Sequence, residues 1–314
     1  CPLLPCGSRR FRDHRWNNTG RCEHRFSSPN GLDLGCSIPP REKSERRFLS
    51  PPIIPNYRDR SRMLKIRVIP TLLMKDFGLV KGIKFDSWRR VGTEMQSVKI
   101  YNLRQVDELI LLDITATTSG RGQDLELINR LAGECFTPLT VGGGIRTVAD
   151  IRGLLMAGAD KVSICTAAIE DPDLIAQASS IFGSQCIVVS IDARRCKDGL
   201  YEAWTHSGVT PSNRSVQEVA RQAELSGAGE LLVTSVDQDG TMEGYDLELI
   251  RSVSEVVEIP VIASGGCGAP EHMADAIEIG GASAVAAASV FHFTELTPLQ
   301  VKNHLHDRSF PVRI

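Results

Sequence analysis

One pentapeptide, DLELI, occurs twice in this chain, at Asp124 to Ile128 and again at Asp246 to Ile250. Three further pairs keep the same displacement: Gly143-Gly144 with Gly265-Gly266, Glu108 with Glu230, and Thr166-Ala167 with Ala288-Ser289. Coincidence does not hold one offset at four separated places, so the chain contains a long internal repeat. The repeated unit is too long for a solenoid and spans several strand–helix elements. It is therefore half of a larger closed structure.

From Met63 onward the pattern alternates strands and helices. Apolar, β-branched runs fall at Ile66–Ile69, Glu108–Ile114, Leu139–Val141, Lys161–Ile164, Ile187–Ile191, Glu230–Ser235, Val261–Ala263 and Ala284–Ala288. Helical stretches lie between them, among them Asp171–Phe182, Ser215–Leu225, Leu247–Val257 and Pro270–Ile279. Eight strands with a half-chain repeat match an α/β fold of the (βα)8 TIM-barrel type, with residues 63–314 as the barrel. A doubly wound open sheet is the alternative, but it gives no reason for the repeat.

In a barrel the strand C-termini gather at one face, and chemistry is sought there. The run LTVGGGI, Leu139 to Ile145, ends in three glycines before a helical pattern, which leaves backbone N–H groups open to an anion. Such glycines also serve tight turns without any ligand, but here the feature recurs at Gly265-Gly266. The strand ends carry Leu73, Asp113, Gly144, Thr166, Asp192, Asp237, Asp239 with Gly240, Gly266, and Ala288 with Ser289. Two clusters of glycine and small hydroxyl residues on opposite sides predict a ligand with a phosphate at each end. Asp113, Asp192 and Asp237 stand between them as candidates for proton transfer. Each has a plainer reading as a cap on the next helix, the one favoured for Asp237.

Bulk properties exclude other classes. With 42% hydrophobic residues, a net charge of −2 and no apolar run near 20 residues, the chain reads as a soluble globular protein and not as a membrane span. Residues 1–62 hold thirteen Lys/Arg against six Asp/Glu, which leaves the remainder at about −9 and argues against nucleic-acid binding by the folded part. That first segment has neither helical nor strand periodicity. It is expected to be either an over-extended gene model ahead of Met63 or a disordered basic tail. The cysteines show no metal-ligand or paired spacing, no metal or cofactor is expected, and a reducing cytoplasm suits them.

The motifs RVIP, LVKG, VDELILLDITA, TVGGGI, GADKVSICTAA, GAGELLVTSVDQDGT and AASVFHF together resemble the cyclase subunit of imidazole glycerol phosphate synthase. The resemblance covers Met63 to Ile314. It implies a barrel that closes an imidazole ring on a bisphosphate ribonucleotide with ammonia from a partner glutaminase. Carried onto this chain, it makes Gly144 and Thr166 one phosphate seat and Asp239, Gly240, Gly266, Ala288 and Ser289 the other. Lys81 becomes the substrate-loop lysine, and Asp192 one of two catalytic aspartates. Arg67, Glu108, Lys161 and Glu230 become a ring of charges at the ammonia entrance, whose plainer reading is a structural salt-bridge layer.

Two departures from the family stand out. Its other catalytic aspartate belongs where this chain has Leu73, and a phosphate-binding asparagine is replaced by Cys165. Loss of a positioned acid or base costs about 10²- to 10⁴-fold in rate. An intact entrance with a broken catalytic pair resembles the paralogues of surface-polysaccharide pathways, which are implicated with a separate amidotransferase in making acetamidino sugars. Three functions are therefore expected in competition: an ammonia-delivering paralogue, a histidine-pathway cyclase using Asp192 alone, and a non-catalytic scaffold for a glutaminase.

Overall fold

The computed structural model describes residues 65–76 and 78–314; the expectation for residues 1–62 lies outside the described residues. The first half of the barrel comprises β1 (Arg67–Met74), β2 (Leu79–Ile83), β3 (Asp86–Gly92), α1 (Glu94–Leu103), β4 (Leu109–Asp113), α2 (Leu125–Ala132), β5 (Leu139–Gly142), α3 (Val148–Met156), β6 (Lys161–Ile164), α4 (Thr166–Glu170) and α5 (Pro172–Phe182). The second comprises β7 (Ile187–Arg195), β8 (Tyr201–Thr205), β9 (Thr210–Ser215), α6 (Val216–Leu225), β10 (Glu230–Ser235), α7 (Leu247–Ser254), β11 (Val261–Ser264), α8 (Pro270–Glu278), β12 (Ala284–Ala287), α9 (Ser289–Phe293) and α10 (Pro298–Asp307).

Eight of these strands pair in parallel in the order β1, β4, β5, β6, β7, β10, β11, β12. β12 pairs back onto β1, with Arg67 opposite Ala284, so these eight strands close on themselves as a (βα)8 barrel. The expected strands are all present. Each helix covers the outside of the sheet with one apolar face: Ile128 and Leu131 of α2 and Ile151 and Leu154 of α3 are essentially inaccessible. Each such side chain contributes roughly 1.5–3 kcal/mol of burial.

The repeat in the sequence has a physical cause in the helix starts. Asp124 accepts a hydrogen bond from the Leu127 amide at 3.0 Å, and Asp246 accepts one from Leu249 at 3.1 Å. DLELI is thus a twin N-cap, each followed by a helix with a buried apolar stripe. The glycine pairs repeat for a similar reason. A Cβ on Gly143 would lie 2.1 Å from the Asp113 carbonyl, and one on Gly265 would lie 2.7 Å from that of Ser235, both at positive φ. Only glycine brings the chain that close to the preceding strand end.

Two hairpins were not legible as strands. β2 and β3 extend from β1 with Leu73 opposite Val80, and β8 and β9 extend from β7 with Asp192 opposite Trp204. They occupy equivalent places, after the first strand of each half. Their outer strands, DSWRRVG and TPSNRS, face solvent and lack apolar alternation, which removes the signal on which a strand is recognised. At the opposite end α10 is tied down by Lys302, whose ammonium lies 2.7 Å from Asp107 while Asp107 also accepts the Val68 amide at 3.0 Å.

Candidate functional site

Side chains on one strand face the barrel interior at every second residue, so each strand lists a path along the axis. β1 gives Arg67, Ile69, Thr71 and Leu73; β10 gives Glu230, Leu232 and Thr234. β7 gives Val188, Ser190 and Asp192. Read together, they build three levels: a charged ring, an apolar layer, and a hydroxyl-lined pocket.

The ring closes at the N-terminal end of the strands. The Arg67 guanidinium lies 2.6 Å from Glu108 and 3.0 Å from Glu230. The Lys161 ammonium lies 3.0 Å from Glu108 and 3.1 Å from Glu230. Each cation therefore bridges both acids, and the ring is neutral. Thr140 adds a hydroxyl bond to Glu108 at 2.7 Å. Burial works against the Arg67 charge, but Glu230 and Glu108 outweigh it and hold that guanidinium above its usual value. The structure brings all four sequence-expected gate residues into one contact set.

Above the ring lies a separate apolar layer of Ile69, Ile110, Val188, Leu232, Ile262, Ala284 and Ala286, walled off from the core between sheet and helices. Above that, Thr71, Ser163, Ser190, Thr234 and Ser264 line the floor of the pocket at the strand C-termini. The hydroxyls of Thr71 and Ser163 are buried and have no protein partner. Sequence reasoning missed this tier. The signal was present in the two-residue spacing from Arg67 and from Lys161.

The pocket joins Gly144 and Thr166 on one side to Gly240, Gly266, Ala288 and Ser289 on the other, with Asp113, Asp192, Asp239, Lys81 and Leu73 also in its wall. Gly144 has its amide on the Thr117 hydroxyl at 3.1 Å, and the Thr166 hydroxyl accepts the His206 amide at 2.9 Å. On the other side the Ser289 hydroxyl is buried without a partner. Lys81, on β2, donates to both oxygens of Asp239 at 2.8 and 2.7 Å, and both residues are buried. Asp239 thus anchors the β2–β3 hairpin over the mouth through its side chain. Gly240 supports the same seat: a Cβ there would lie 2.2 Å from the Gly82 carbonyl.

The three aspartates separate in character. Asp113 accepts from the Thr115 amide and hydroxyl and from the Ala116 amide, each at 3.0 Å, while Arg121 approaches its other oxygen to 2.7 Å as an ion pair. The turn after β4 thus holds Oδ1, while Oδ2 is buried without a hydrogen bond and has only the Arg121 ion pair beside it. Asp237, expected as a helix cap, caps none: it accepts the Arg195 amide at 2.9 Å, and Asp246 caps the following helix instead. Asp192 lines the pocket with a single side-chain hydrogen bond, from the Cys165 thiol. Burial pushes its carboxyl up to about 7; the Cys165 bond pulls down, the Asp239 charge pushes up, and Arg194 pulls down. A carboxyl poised there can both take and return a proton near neutral pH.

Leu73 is 9% exposed and contributes only carbon to this wall, beside Leu112 and Ile164. The pocket therefore sets the Asp192 carboxyl across from an apolar strand-one corner. Among the described residues no helix is long and apolar enough to cross a membrane.

A family model described as "Histidine biosynthesis protein" matches residues 67–297, which takes in every barrel strand and both ends of the axis just described. Among curated proteins, the chain is similar to "Imidazole glycerol phosphate synthase subunit HisF" of Caulobacter vibrioides (strain NA1000 / CB15N). The two are 48% identical over 253 residues, which cover 80% of this chain and 97% of that protein. With a closed barrel, twin glycine turns and a match over nearly the whole length of that relative, the chain belongs to the HisF family, the cyclase-subunit lyases of imidazole glycerol phosphate synthase.

Proposed function

We propose that this barrel takes ammonia from a glutaminase partner at the charged ring and passes it along the axis, and that Leu73 has removed its own ring-closing step. The observation that carries the reading is the ring itself. Two cations and two anions, each cation touching both acids, form a neutral plug in front of an apolar layer. An ion crossing that layer would meet a large desolvation cost, whereas neutral ammonia would not. The hydroxyls of Thr71 and Ser163 then offer hydrogen bonds beyond it.

The same end of the barrel supports a partner. Leu103, Phe136, Met156 and Leu225 are more than 80% exposed, and all lie where helices or their loops return to the strand N-termini. Large apolar side chains gathered at one end suit a protein interface. A glutaminase docked there would deliver ammonia directly to the ring. At the other end, the twin glycine seats suit a phosphorylated small molecule. In this reading the ammonia serves acetamidino-sugar synthesis for surface polysaccharide, used by a separate amidotransferase.

A second reading, a working histidine-pathway cyclase, is favoured by the 48% identity to the HisF subunit and by the presence of Asp192, Lys81 and both glycine pairs. The deciding experiment supplies the bisphosphate ribonucleotide and excess ammonium salt and follows substrate loss by absorbance. It compares the unmodified protein with Leu73→Asp. The expected result is no turnover before the change and a gain of about 10²-fold or more after it. Turnover by the unmodified protein would return it to ring closure. A complex whose glutamine-dependent output ignored changes to Arg67, Glu108, Lys161 and Glu230 would reduce the barrel to a scaffold.

A further inference from the structure

Cys165 follows β6 and opens α4, on the strand next to β7, which carries Asp192. Its sulfur lies 3.7 Å from Asp192 Oδ2 and 3.9 Å from the Trp204 carbonyl, and Trp204 is the residue paired with Asp192 across the β7–β8 hairpin. Among the described residues, no other donor bonds the Asp192 side chain. Oδ2 is thus held by a thiol, and Oδ1 has no protein partner in a residue that lines the pocket.

A thiol is a weak donor. It can fix the direction of a carboxyl while favouring the anion less than an amide or hydroxyl would. That difference matters for a carboxyl that must both take and return a proton. We propose that Cys165 is the positioning residue of Asp192, holding the Oδ2 edge so that Oδ1 is the atom that takes a proton from the bound molecule and returns it. The inference uses from the proposed function only the proton-transfer role of Asp192.

The surroundings leave this role to Cys165. Arg194, on the same strand, stacks on Trp204 at 4.9 Å and donates to the Gly208 carbonyl at 3.2 Å. Asp239 from the β10 side is ion-paired with Lys81 of the β2–β3 hairpin, and its charge pushes the Asp192 carboxyl up without bonding it. Asp237 is held by Arg195 and Arg194. From α4 and the β8–β9 turn, Glu170 and His206 face each other at 4.0 Å.

The test is infrared spectroscopy of the full chain across pH, which needs no turnover, so a failure of the ring-closure reading leaves it intact. The Asp192 C=O band is identified by its loss in Asp192→Asn, and the Cys165 S–H band by its loss in Cys165→Ala. The S–H band is expected to shift with the same midpoint at which the C=O band titrates, and to stop doing so in Asp192→Asn. Cys165→Asn, whose amide reaches further than a thiol, is expected to lower the C=O midpoint by about one pH unit or more. Cys165→Ala is expected to raise it. An S–H band indifferent to pH and to Asp192→Asn would overturn the proposal, as would midpoints unchanged in both cysteine variants. Should Cys165→Asn not fold, the S–H comparison between the unmodified protein and Asp192→Asn decides alone.

Discussion

Replacing Lys161 by methionine keeps most of the side-chain volume and removes one charge from the ring. Glu108, 1% exposed, then keeps only Arg67 and the Thr140 hydroxyl, and Glu230 keeps only Arg67. Breaking a buried ion pair from one side costs about 3–5 kcal/mol, because the partner charge stays buried. Lys161 and Glu230 are each 15% exposed at the side chain, and Arg67 still touches both acids, so the lower end applies, about 3 kcal/mol. For a domain of this size that is a loss of roughly 6–12 °C in Tm. The assay is urea denaturation of Lys161→Met, Glu108→Gln and the double variant. The double variant leaves the neutral pair Arg67 and Glu230, so it should lose less than the sum of the singles, with a coupling of about 2 kcal/mol. Single losses under about 1 kcal/mol that simply add would refute the reasoning, since they would describe a solvated salt-bridge layer worth little.

Asp192→Asn should change how stability depends on pH. The native carboxyl holds its proton up to about pH 7 while the unfolded one releases it near 4, so the native state binds more protons between those values and stability falls as pH rises through them. The asparagine variant lacks that fall, and denaturation should find it roughly 4 kcal/mol more stable than the parent at pH 8 and about equal at pH 4. Gly240→Ala puts a Cβ 2.2 Å from the Gly82 carbonyl at a φ of +76°. Hydrogen exchange should then quicken in residues 79–92 while the barrel strands stay protected; unchanged hairpin exchange would mean that Gly240 does not seat it.

What the sequence shows of this protein divides along the kind of contact involved. Barrel strands were legible because β-branched runs are local, and the twin DLELI caps because a cap spans three residues. The hairpins were not: β3 and β9 are polar strands at a solvent-facing edge, held by pairing to neighbours and not by their own pattern. The roles of the aspartates depend on contacts between distant segments. Lys81 reaches Asp239 across 158 positions, and Cys165 reaches Asp192 from the next strand. Asp113 is held within its own turn and by Arg121, whereas the Asp192 side chain takes its one hydrogen bond from Cys165. Spacing along a strand does carry the axis, since Arg67, Ile69, Thr71 and Leu73 descend from ring to pocket two residues at a time.

That descent explains how the two ends can differ in fate. At about 3.3 Å per residue, Leu73 stands roughly 20 Å from Arg67, with the apolar layer between them. A change of charge at the pocket corner leaves the ring's own contacts untouched, so the ring can persist whichever side chain stands in the place of Leu73. The corner has also become part of the packing, because Leu73 sits beside Leu112 in register and Val80 across the hairpin. Leu73→Asp should therefore lose stability, by about 2 kcal/mol of forfeited burial, even as it places a carboxyl in the pocket wall. If urea denaturation found the variant as stable as the parent, the leucine would be a passive occupant of an unchanged polar corner. A measured loss would mean instead that the wall has repacked around carbon.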